Sequence, residues 1–170
     1  MRSLMAMFRS EPRVARPLYD QVVAKARAPH WYRAGGVPDT LDGRFAALAT
    51  LLALVDLRLE RGGDLARRAS VSLAECFIQD MDGELRQIGI GDPVMSKRVG
   101  SMVGSLGGRV GAWRRVIDGE ESWDAVMARS LYREQPVTAE ASAHAQKELR
   151  AFWAAIEART DEALIEGTLP

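Results

Sequence analysis

The sequence is poor in the residues that most often do chemistry. Of its 170 residues one is cysteine, Cys76, and two are histidine, His30 and His144. A single thiol excludes an internal disulfide and any multi-cysteine metal site, and it fits a reducing compartment. The two isolated histidines give no Ser-His-Asp order, and neither stands at the Glu-x-x-His spacing of helical di-metal sites. An excess of one charge is missing too: Lys plus Arg and Asp plus Glu each number 23, so no global field recruits nucleic acid. Long apolar runs are equally scarce. The opening MRSLMAMFRSEP is apolar only from Leu4 to Phe8, which is short for an export signal. FAALATLLALVDLRL meets Asp56 and Arg58 before the roughly 18 apolar residues that a membrane span needs. Period-two alternation and β-branched runs are absent, which argues against a sheet.

What is present is helical spacing of apolar residues along nearly the whole chain. It predicts an all-α, single-domain bundle of about six helices, residues 16–170, preceded by a basic segment over residues 1–15. A first helix runs from Arg16 to about Ala28, and APHWYRAGGVPDT follows as a loop. The second helix starts at Thr40, with Asp39 or Thr40 as cap and Leu41, Phe45, Leu48, Leu52, Val55 and Leu59 as its buried stripe. Asp64 caps a third, which buries Leu65, Leu73, Cys76, Phe77, Met81, Leu85 and Ile88 and ends at Gly89. Asp92 and Pro93 open a fourth, with Val99, Met102, Val103, Leu106, Val110, Trp113 and Ile117 on its inner face. Gly100, Gly104, Gly107 or Gly108, and Gly111 form a second stripe on that helix. Each glycine costs up to about 1 kcal/mol of helix propensity, and a neighbouring helix crossing unusually close would offset the cost. Helices over 122–134 and 138–159, then a turn at 161–166, complete the chain.

The segment FIQDMDGELRQIGIGDPVMSKR concentrates acids beside a glycine-rich break. Asp80 and Glu84, one turn apart and joined by Asp39 or Asp42 from the second helix, could form a carboxylate-metal hydrolase site. Ion pairs and helix caps are the commoner employment of such acids. Asp82 precedes Arg86 by four residues, the favourable order on a helix. Asp80 lies at the edge of the buried stripe and needs a cationic partner from another helix, with Arg44 or Arg109 available. GIGD and GSLGGR lack the strand and the Gly-Lys-Ser/Thr ending of a phosphate loop. Cys76 sits on an apolar stripe as a small core residue.

Three stretches together resemble one family. VPDTLDGRFAALATLLALVDLRL, FIQDMDGELRQIGIGDPVMSKRV and GGRVGAW agree in order and spacing with signatures of the ubiquinol-cytochrome c chaperone family. The chain departs from that pattern at Leu106 and Gly107, at Gly83 and at Trp113, which are changes of packing more than of charge. The resemblance implies a non-enzymatic assembly chaperone for the cytochrome bc1 complex that holds newly made cytochrome b. A small helical partner subunit, the ribosome and the inner-membrane surface would be further partners. It implies no cofactor, no metal, no DNA and no small-molecule substrate. It places a bacterial member in the cytoplasm against the inner membrane, or a eukaryotic one on the matrix side. On this reading Asp80, Asp82, Glu84, Arg86, Asp92 and Arg109 present a charged recognition face. Asp39, Gly43, Arg44, Phe45, Gly89, Gly91 and Gly108 build the fold around it.

Overall fold

The computed structural model describes residues 14–89 and 91–170, apart from the side chain of Asp92. The basic residues Arg2, Arg9 and Arg13 of the amino-terminal segment lie outside the described residues. Among the described residues eight helices follow one another: α1 Arg16–Ala26, α2 His30–Arg33, α3 Leu41–Glu60, α4 Asp64–Gln87, α5 Asp92–Ile117, α6 Trp123–Ser130, α7 Ala139–Glu157 and α8 Asp161–Ile165. Six of them are the expected bundle, in one domain. The two short ones, α2 and α8, replace the expected loop and terminal turn.

α3 is the axis. Its alanine- and leucine-rich sequence is apolar all round, as a helix buried on every side should be, and α1, α4, α5 and α7 all pack against it. Ala46, Ala49, Leu52, Ala53, Leu54, Val55 and Leu59 are essentially inaccessible. Its start is set locally. The Thr40 hydroxyl accepts the Gly43 amide at 3.1 Å, and Asp39 receives Arg44 Nε at 2.8 Å. Leu41, expected in the buried stripe, is instead 72% exposed, because it precedes the point where neighbouring helices cover α3.

α4 and α5 depart from expectation in the same way. Leu73, Cys76, Phe77, Met81 and Leu85 are buried, whereas Leu65 and Ile88 are exposed. On α5 Val110 and Trp113 are buried, Met102, Leu106 and Ile117 are half-buried, and Val103 is exposed. The later half of α5 is thus core and much of the earlier half is surface. Gly89, at φ 78°, terminates α4 in the left-handed region as expected. Asp64 and Asp92 are the first helical residues, with Gly63 and Gly91 at the cap positions.

The close glycine-striped crossing does not exist. A β-carbon at Gly100, Gly104, Gly107, Gly108 or Gly111 would meet nothing within 4 Å. Overpacking at Gly104 is therefore not expected, and the propensity cost stands without an offset. Gly104→Ala should raise stability by about 0.5–1 kcal/mol, read as an increase in denaturation midpoint.

α2 is fastened on two sides. Trp31 is buried and its indole N–H donates to the Lys25 carbonyl at 2.9 Å, while the Tyr32 hydroxyl donates to Ala26 at 2.7 Å. His30 Nδ1 lies 3.2 Å from His144 Nε2 on α7. Burial holds His30 below its ordinary value of 6.5. Glu148 opposes this, and His144 and Lys25 add to it. The unfolded chain therefore takes up the proton more readily than the native one, so this contribution is intact above pH 6.5 and is lost as pH falls below it. His30→Gln should flatten that part of a stability-versus-pH curve, measured in denaturant between pH 5 and 8.

Candidate functional site

Because α4 and α5 outrun the cover given by the rest of the bundle, a groove opens between them, α1 and the start of α3. Its volume is about 610 Å³. Phe45, Leu48, Met81, Leu85 and Met102 give it an apolar floor, and Leu41 and Ile88, the latter 62% exposed, stand at its edges. Among the described residues its charged groups are Arg27, Arg44, Arg98, Arg109 and Arg133 against Asp42, Asp80 and Glu84.

Phe45 joins the walls. Its ring centroid lies 6.1 Å from that of Phe77 on α4, and the Arg109 guanidinium carbon lies 5.6 Å from its centroid on the α5 side. The three sequence stretches noted above, one on each of α3, α4 and α5, therefore meet at this residue. Gly43, one turn into the same helix, is as constrained: a β-carbon there would lie 1.9 Å from the Pro38 carbonyl oxygen. Gly108 faces open space, so no packing requirement explains it.

The acids of α4 do not share one face. Asp80 and Glu84 line the groove; at about 100° per residue, Asp82 and Arg86 point roughly 120–160° away from them. Arg86 Nε donates to Asp82 at 2.9 Å on that outer flank, as expected from their spacing. The side chain of Asp92, expected on the same charged face, lies outside the described residues.

Asp80 finds a different partner from the two expected. Arg16 Nη1 donates to it at 3.0 Å, while Arg16 Nε bonds Asp20 at 2.8 Å. With the Arg16 and Asp80 side chains 43% and 33% exposed, water screens the pair. Asp80→Asn should accordingly lower stability by no more than about 1 kcal/mol in thermal melts. Tyr19 packs nearby with its hydroxyl buried; burial, with the Asp80 carboxylate next to it, pushes the phenol pKa up.

Arg109 is the reverse case. Its Nε and Nη2 donate to the Ser130 carbonyl at 3.2 and 2.8 Å, and Nη1 donates to the carbonyl and hydroxyl of Ser105, which ties α5 to the end of α6. No carboxylate faces it among the described residues. Burial, reinforced by Arg133, holds its pKa below the ordinary arginine value. Arg133 reaches the groove from a left-handed backbone at φ 53° and bonds Asp42 at 2.6 Å.

Arg27, Arg98 and Arg133 were not legible as site residues, since the periodicity of each helix says nothing of where a neighbour ends. Leu41 and Ile88 carried a signal that pointed inward and was wrong. The metal-hydrolase alternative loses its geometric support: among the described residues no three His, Cys, Asp or Glu side chains converge as a cation site would require. Also among them, no helix is long and apolar enough to cross a membrane.

Residues 33–169 match the family model described as ubiquinol-cytochrome C chaperone. The fold is similar to that in the crystal structure of the Cbp3 homolog from Brucella abortus, with a TM-score of 0.79 and 25% identity over 98% of this chain and 95% of that one. No curated protein sequence matches the chain.

Proposed function

Since the chain belongs to the ubiquinol-cytochrome C chaperone family, we propose that it serves assembly of the cytochrome bc1 complex by holding newly made cytochrome b. The observation that carries this reading is the meeting at Phe45 of the three stretches that resemble the family, on the wall of an open groove rather than in a sealed core. The part is that of a binder. Asp80 is engaged by Arg16, Asp42 by Arg133, and the groove offers apolar area with charged edges.

The protein works at the face of the membrane where cytochrome b emerges, in the bacterial cytoplasm or the mitochondrial matrix. The basic residues ahead of α1 would favour anionic head groups at about 1 kcal/mol per Lys or Arg near the surface. A small helical partner subunit and the ribosome belong to the same reading. Asp82 and Arg86, on the outer flank of α4, would meet such partners, as would Asp92, while Asp80, Glu84 and Arg109 face the client. Deleting the gene in its host tests the role. Assembled bc1 complex and cytochrome b absorbance should fall with other respiratory complexes retained, and a normal cytochrome b spectrum would refute it.

A further inference from the structure

We propose that the groove between α3, α4 and α5 takes an amphipathic helical segment of the client whose apolar face is flanked by carboxylates. This rests on the chaperone reading and specifies the chemistry of what is held.

The shape favours a polypeptide. The groove is open rather than enclosed, with Leu41 and Ile88 exposed along its edges, as a surface for an extended partner would be. The apolar surface also runs on past the groove: Val94, exposed, lies one turn before Arg98, on the same face of α5 as Ser101, Met102, Ser105 and Arg109. A helix about 10–12 Å across would cover that line of residues together, with Met81 and Met102 adapting to its side chains.

The charge selects the sign. Arg44 is held by Asp39, Arg133 by Asp42, and Asp80 by Arg16. That leaves Arg27, Arg98 and Arg109 without a carboxylate partner among the described residues, and Glu84 as the one groove acid outside an ion pair. Three cations against one anion among the described residues make the groove a receptor for acidic side chains, the opposite of what the acids of α4 suggest when read along the sequence. An acidic helix would supply the charge that Arg109 lacks at the end of the apolar floor.

The test uses the purified full chain and fluorescein-labelled peptides of about 18 residues, roughly five turns, with a leucine face flanked by two Glu, two Gln or two Lys. By anisotropy the Glu peptide should bind about tenfold tighter than the Lys peptide, with Gln between, and the gap should narrow as salt rises. Ile88→Asp should weaken all three peptides, Arg98→Glu should abolish the preference for Glu, and Lys147→Glu on α7 should change neither. Equal binding of Glu and Lys peptides, or binding indifferent to both groove substitutions, overturns the proposal. So does a groove that ignores the peptides yet binds phosphatidylglycerol vesicles in an Arg98-dependent manner. Circular dichroism melts confirm that each variant is folded. In cells, a deletion strain that loses cytochrome b but is fully restored by Ile88→Asp and Arg98→Glu refutes the groove alone. A deletion strain with normal cytochrome b refutes the chaperone role itself.

Discussion

Arg58→Ala should lower stability by about 3 kcal/mol, the lower end of the range for removing one partner of a buried ion pair, because this pair is partly buried. The side chain is 11% exposed and all its bonds leave its own helix. Nη1 donates to Asp161 at 2.9 Å, Nη2 to the Arg159 carbonyl at 2.7 Å, and Nε to the Ile156 carbonyl at 3.2 Å. It therefore satisfies carbonyls at the end of α7 and anchors the start of α8 at once. Asp161 in turn accepts the Gly63 amide at 2.9 Å, and that bond, with Arg58, holds its carboxyl below the ordinary value of 3.8. Removing the guanidinium strands the carboxylate and the carbonyls together. At roughly 2–4 °C per kcal/mol for a chain of this length, the melting temperature should fall by about 10 °C. Arg58→Lys should recover part of the loss, because an ammonium keeps the charge but cannot span three acceptors. A melting temperature within about 2 °C of the parent would show that the carboxyl-terminal helices hold without this clamp.

Gly43→Ala carries the second large effect. The added β-carbon would sit 1.9 Å from the Pro38 carbonyl oxygen and 2.9 Å from its carbon, and both are backbone atoms that no rotamer change can move. The residue has an ordinary helical conformation, so the penalty is one of space and the better helix propensity of alanine cannot offset it. A cost of about 3 kcal/mol or more follows, at the upper end of overpacking effects. The displaced segment carries Asp39 and Thr40, so the α3 cap at Gly43 and the Asp39–Arg44 pair should loosen with it. Leu41 and Phe45 move with that turn, so groove binding should weaken in proportion to the melt. A variant with parental melting and peptide affinity would show that the Pro38 turn yields without cost.

Local chemistry was the legible part of this chain. Thr40, Ser122 and Thr138 each cap a helix with a side-chain oxygen, as residues of that type before an apolar repeat should. Apolar spacing likewise marked Leu73, Phe77, Met81 and Trp113 as core. Non-local facts were not legible. Arg16 and Asp80 are 64 residues apart, and His30 and His144 are 114 apart, with nothing near either residue to name its partner. Periodicity identifies the inner face of a helix without saying where the neighbour covering it stops, so Leu41 and Ile88 read as buried. A glycine stripe reads as a close approach, and the approach that glycine makes possible is elsewhere, at Gly43 against Pro38.

The open glycines of α5 also set where the fold yields first. From Gly100 to Gly108 the helix loses up to about 1 kcal/mol at each of Gly100, Gly104, Gly107 and Gly108, and no neighbour lies where a β-carbon would be. Its later half is anchored by Val110, Ala112, Trp113 and Val116. Amide protons near Gly104 should therefore exchange with solvent through local opening at a small fraction of the global free energy, while those around Trp113 wait for the whole domain to unfold. The wall that bears Arg98 and Met102 is therefore the side expected to open to admit a client and to gain protection once one is bound.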